Sequence, residues 1–347
     1  MNDPSMSAFL HRQRRLFEAT HREATELKSL GFALRKQGMD PGKRYCNPEL
    51  LSLPWRECPH LGAFTEEQIS RVTAAYFANF YAQTATNETY ALDFNKKVSG
   101  LVFPLYSEDY MVLFEETDEE YDHIICFVLI NEGLLGRSEC VGEDKFPAYK
   151  LFPDTLRKHQ SDLCASGYGA LFLLYRYILN LVLKQTEAYM FAGLAKEDAD
   201  PLAWAINEGH VHDEARHLTT SIEMGARLFA AAAPRSRPVV QEAIKLLVYL
   251  TIERRFCPDS FRSVSHELGA AALGLAMDQP GFGPVPLDHA QLVASWRASG
   301  LMMPQSAEVM RSKKWLARQI QRLLDVVEVE PKMATPAYEQ YRACLES

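Results

Sequence analysis

The sequence predicts an all-α protein, a four-helix bundle with additional helices at both ends. Apolar residues recur at helical spacing along most of the chain, and no series of alternating, strand-like segments appears. Pro and Gly punctuate the helical stretches at intervals long enough for helices of roughly 20 residues or more. With 347 residues, 47% of them hydrophobic, the chain can bury a large core and reads as a single helical domain over 1–347. The bundle is expected over about 65–232 and a helical C-terminal extension over about 238–328.

Each element has a local reason. A first helix is expected from about Ser7 to Lys36, stopped by Gly38 with Pro41 beyond; a proline-rich connection through Pro48, Pro54 and Pro59 follows. Thr65 with Gln68 three positions on is a capping box, and opens a helix expected to end near Lys97, before Gly100 and Pro104. Ser107-Glu108-Asp109 starts the next, ending at Gly133 or Gly136. An apolar helix is expected from about Leu156 to Gly193. Asp200-Pro201, a cap followed by a first-turn proline, opens a helix to about Ala233, and Pro238 opens another to about Arg255. Two or three shorter helices follow, around the Pro280-Gly281-Phe282-Gly283-Pro284 turn.

Composition narrows the function. Net charge is −8 and the pI about 5.7. No Lys/Arg block stands out, which gives no support for nucleic-acid or anionic-membrane binding. The opening Met-Asn-Asp-Pro lacks the apolar core of a secretory peptide. Seven cysteines, an odd number without a CxxC pair, point to a reducing cytoplasm and away from a disulfide frame or thiolate metal site. The stretch Tyr168 to Leu183 is strongly apolar but contains Arg176 and Asn180, so it reads as a buried central helix rather than a membrane span.

The chemistry lies in Glu-x-x-His, which sets a carboxylate and an imidazole on one helix face, one turn apart. The motif occurs four times. Glu57/His60 is interrupted by Pro59, and Glu18/His21 lies on a charged helix with no earlier helix to partner it; both read as solvated. Glu120/His123 and Glu214/His217 have context. Glu88 lies 32 residues before Glu120, and Glu187 lies 27 before Glu214. In an antiparallel helix pair, residues at equal height are separated by roughly 25 to 35 positions. The chain therefore twice reads as Glu, reversal, Glu-x-x-His, the arrangement of ferritin-like di-iron carboxylate bundles. His210, four residues before Glu214 on the same face, adds a seventh ligand; His212 points elsewhere. Glu120 sits in an acidic run, and Glu187 shares a stripe with Arg176, Asn180 and Lys184, so by itself each equally suits a solvated face. Four carboxylates and three imidazoles without a thiolate suit iron, with manganese as the alternative. Asp213 and Glu119, each preceding a motif glutamate, are placed to accept the free N–H of a ligand histidine across the bundle.

Asn87-Glu88, Glu120-Tyr121-Asp122-His123, Thr186-Glu187 and His210-Val211-His212-Asp213-Glu214-Ala215-Arg216-His217 together resemble the p-aminobenzoate N-oxygenase family of di-iron enzymes, with His210 the discriminating residue. The resemblance covers roughly 65–230. It implies that Glu88 and His123 hold one iron, that Glu187, His210 and His217 hold the other, and that Glu120 and Glu214 bridge them. It further implies activation of O2 and N-oxygenation of an amine, to a hydroxylamine or nitro product, in natural-product biosynthesis. The electron donor would be external, the amine free or tethered to a carrier protein, and the assembly a homodimer. That family anchors a substrate carboxylate with an arginine of the C-terminal region, where Arg311 and Arg318 lie; neither aligns with it. The alternatives are a di-iron carbon hydroxylase or desaturase of the same fold, and a ferroxidase.

Overall fold

The computed structural model describes residues 26–48, 63–137, 161–257, 264–298 and 307–346, together with Ala8, Phe9, Arg12, Gln13 and Lys158. These residues are overwhelmingly helical. They contain no strand, only one isolated bridge between Arg44 and Ala199. Helix α1 covers 26–37 and is followed by Gly38 at φ 71°. The bundle consists of α2 (Glu66–Val102), α3 (Glu108–Leu135), α4 (Ala165–Met190) and α5 (Pro201–Ala231). Then come α6 (Arg237–Arg255), α7 (Val264–Met277), α8 (His289–Ala298), α9 (Ala307–Val326) and α10 (Pro336–Glu346).

The local signals act where the sequence places them. Thr65 accepts from the Gln68 amide and Gln68 returns the bond. Ser107 caps α3 and Asp200 caps α5, the latter through the amides of Leu202 and Ala203. Gly136, in the left-handed region at φ 66°, ends α3. Gly133 is instead retained inside the helix, because α1 crosses there: a Cβ would sit 2.8 Å from the Cα of Arg35. Helix α2 runs past the expected Lys97 to Val102. Gly100 is exposed and does not interrupt it, and the stop is set by Pro104, which holds Phe103 extended. Helix α4 starts at Ala165 behind a Cys164 cap, later than expected. The C-terminal extension continues past the expected 328, since α10 closes the chain with Tyr341 fully buried. The expected decoys Glu18/His21 and Glu57/His60 lie outside the described residues.

The bundle helices pair as antiparallel neighbours. Asn131 of α3 donates to the Ala78 carbonyl of α2, while Lys96 meets Tyr121 further along. Between α4 and α5, Asn180 meets Glu214 and Lys184 meets the Val211 carbonyl. Two apolar clusters fill the bundle at different heights. One joins Phe94 and Val98 of α2 to Leu113, Leu171 to Leu181, and Leu218 to Phe229. The other joins Val72 to Ala85 of α2 to Phe127, Ile130, Met190, Ala203 and Ile206. Between them, at mid-height, lies a band of buried carboxylates and imidazoles. Helix α4 is long and apolar enough to cross a membrane, but 78% of its most apolar window is buried inside the protein, as expected of a core helix.

Candidate metal centre

All seven sequence-predicted ligands point into this band, none more than 3% exposed. Helix α2 supplies Glu88, α3 supplies Glu120 and His123, α4 supplies Glu187, and α5 supplies His210, Glu214 and His217. Donor atoms of six of the seven fall into two groups, each within 4.8 Å: Glu88, His123, His210 and Glu214 in one, Glu120, Glu214 and His217 in the other. Glu214 belongs to both. Nδ1 of His217 lies 2.9 Å from Glu214 Oε1 and 3.2 Å from Glu120 Oε1. Nε2 of His210 lies 2.9 Å from Glu88 Oε1, and His123 Nδ1 lies 3.6 Å from the same oxygen. Glu187 meets the centre through His210, its Oε1 lying 2.5 Å from His210 Nδ1. The structure thus sets His210 between Glu187 on one ring nitrogen and Glu88 on the other; the family resemblance groups it with Glu187 and His217.

The outer contacts are reciprocal across the bundle. Asp213 of α5 lies 3.1 Å from His123 Nε2 on α3, and Glu119 of α3 lies 2.9 Å from His217 Nε2 on α5. Each carboxylate turns an imidazole so that its other nitrogen, Nδ1, faces the centre. Arg216 binds Glu119 and stands 3.9 Å from Asp213.

Three further members, Glu116, Arg176 and Asn180, belong to no ligand motif. Arg176 of α4 donates to Glu116 at 2.6 Å and to Glu120 at 2.8 Å, and is itself buried. Asn180 donates to Glu214 Oε2 at 2.5 Å. The available signal was periodicity: Arg176, Asn180 and Glu187 recur on one face of a helix whose other positions are apolar, which places all three inside. His212, by contrast, is exposed, as is Arg311 on α9.

Burial and mutual charge set the electrostatics of the band. Burial raises the Glu88 carboxyl and the Glu120 charge raises it further. Burial opposes ionisation of Glu120, but His217, His123 and Arg176 outweigh it and hold its pKa well below the usual range. Burial likewise opposes the charged form of His210, yet Glu187 and Glu88 carry its pKa to about 10. Several buried atoms of the band have no hydrogen-bond partner among the described residues: Glu88 Oε2, Glu120 Oε2, Glu187 Oε2 and His123 Nδ1. Buried oxygens of this kind are costly unless something binds them, and oxygen and imidazole donors suit a divalent first-row metal. The residues present fit metal ions.

A cavity of about 840 Å³ reaches Glu187 from outside, walled by Phe191, Trp204, Leu27 and Leu30. A second, of about 400 Å³, lies beyond Ala188 and is lined by Lys184, Tyr189, Arg311 and Trp315.

The fold and the site define a helical protein whose buried glutamates and histidines can hold metal ions. No protein-family model matches the chain, and no curated protein matches it.

Proposed function

We propose that the chain is a di-iron oxygenase that activates O2 and N-oxygenates an amine. The observation that carries this reading is Glu214, one carboxylate shared by two donor groups in a buried band, as a pair of adjacent metals requires. Glu88, Glu120, His123, His210, Glu214 and His217 would hold the irons, and Glu187, against His210 Nδ1, would orient that imidazole. When bound, iron supplies the reductive activation of O2; the chain's own residues do the rest. Asp213 and Glu119 orient two of the imidazoles. The apolar clusters above and below exclude water. The cavity at Glu187 offers the amine an approach walled by aromatic rings, Phe191 and Trp204 lying 5.1 Å apart. Electrons come from an external reductase, and the amine is free or carried by a partner protein.

Iron analysis of protein produced with ample iron should find about two ions per chain by this ligand arithmetic; none would end the reading. Turnover of candidate amines under 18O2 should then label the product nitrogen substituent. Label on carbon with the nitrogen untouched would favour a carbon hydroxylase of the same fold.

A further inference from the structure

The two donor groups are unequal. The first offers two imidazoles and two carboxylates, His123, His210, Glu88 and Glu214; the second offers one imidazole and two carboxylates, His217, Glu120 and Glu214. Glu120, which belongs to the second group alone, is also engaged: Arg176 donates to its Oε1 at 2.8 Å. A cation entering the second group thus shares Glu120 with a buried guanidinium that cannot lose its charge. Behind the first group stands Glu187, whose Oε1 meets His210 Nδ1 and leaves Nε2 as the metal-facing donor. Behind the second stands Glu119, already bound by Arg216 and so less able to strengthen His217 as a donor.

We propose that the two positions fill in sequence, the one at Glu88, His123, His210 and Glu214 first, and that Arg176 is the positioning residue that keeps the second weaker. This rests on the metal-binding reading above. Donor number favours the first position for any divalent ion, four side chains against three, and the Arg176 charge opposes the second. In consequence, a chain short of metal holds one ion, and completion of the pair depends on metal supply.

The test is a titration of the metal-free full chain with Mn(II), without air, followed by electron paramagnetic resonance. An isolated Mn(II) signal should grow to one equivalent and then give way to that of a coupled pair, the second affinity roughly tenfold or more below the first. Coupled-pair signal from the earliest additions, with half of the chains empty, would overturn the proposal while leaving the metal reading intact. No Mn(II) bound to a folded chain would refute the metal reading itself. Arg176→Gln should bring the second affinity up towards the first, and Arg176→Lys should preserve the order. If Arg176→Gln does not fold, the histidines decide. His217→Ala should keep the tight ion and lose the weak one, and His210→Ala should lose the tight one; the reverse pattern overturns the proposal.

Discussion

Glu214 stands where both donor groups meet, so its loss should cost more than loss of any ligand belonging to one group. Glu214→Ala is expected to bring the metal content from about two ions per chain to well below one with the helical circular dichroism unchanged; retention of both ions would remove Glu214 from the centre. Protonation gives a second check. In the metal-free chain burial works against the His210 imidazolium, but Glu187 and Glu88 outweigh it and raise its pKa from 6.5 to about 10. A raised histidine pKa favours the folded state wherever the proton is held. The contribution is complete below pH 6.5 and is lost as the pH climbs to about 10. Melting temperatures of the metal-free protein should fall across that interval, and metal affinity should rise across it as protons cease to compete. A flat melting profile from pH 6.5 to 10 would contradict the ion pairing at His210.

Helix ends are governed by neighbours in sequence, and there the residue pattern was a good guide. Thr65 with Gln68, Ser107, Gly136, and Asp200 with Pro201 all act as their chemistry dictates. Glycines inside helices are different, because their role depends on what lies outside the helix. Gly100 has nothing within 4 Å of where a Cβ would stand, so Gly100→Ala should stabilise by about 0.5–1 kcal/mol. Gly133 faces the backbone of Arg35 and Leu34, which cannot swing aside, so Gly133→Ala should destabilise by about 1–3 kcal/mol. Urea unfolding of the two variants would separate these cases. Equal effects would mean that α1 does not press on α3 as described.

The described residues are organised as apolar, polar, apolar along the bundle axis; α6, α9 and α10 complete one apolar layer, and α7 and α8 the other. Tyr341 of α10 is fully buried, its ring 5.5 Å from that of Phe256 and its hydroxyl on Gln321. Tyr341→Ala should cost about 3–5 kcal/mol, the range for deleting a buried aromatic ring. A cost below 1 kcal/mol in chemical denaturation would show the extension to be dispensable. Helix α10 is short, but its buried Ala337, Tyr341 and Cys344 recur at i, i+4 and i+7, so a helical apolar face is legible there; what it packs against is not.

By itself the sequence determined the helical class, the caps and the register of two antiparallel pairs, because equal height in a helix hairpin is a matter of counting residues. It also determined the seven-residue set that the folded chain gathers into one band, since Glu-x-x-His spacing puts ligands on a face without reference to anything distant. Only the tertiary structure decided which donors stand together. His210 reaches Glu88 across 122 positions of chain, and Arg176 reaches Glu116 and Glu120 on another helix. The acidic run around Glu120 looks the same in sequence whether it faces water or a buried guanidinium. The difference is made by the low-dielectric space between four packed helices, where a charge persists only beside its partner.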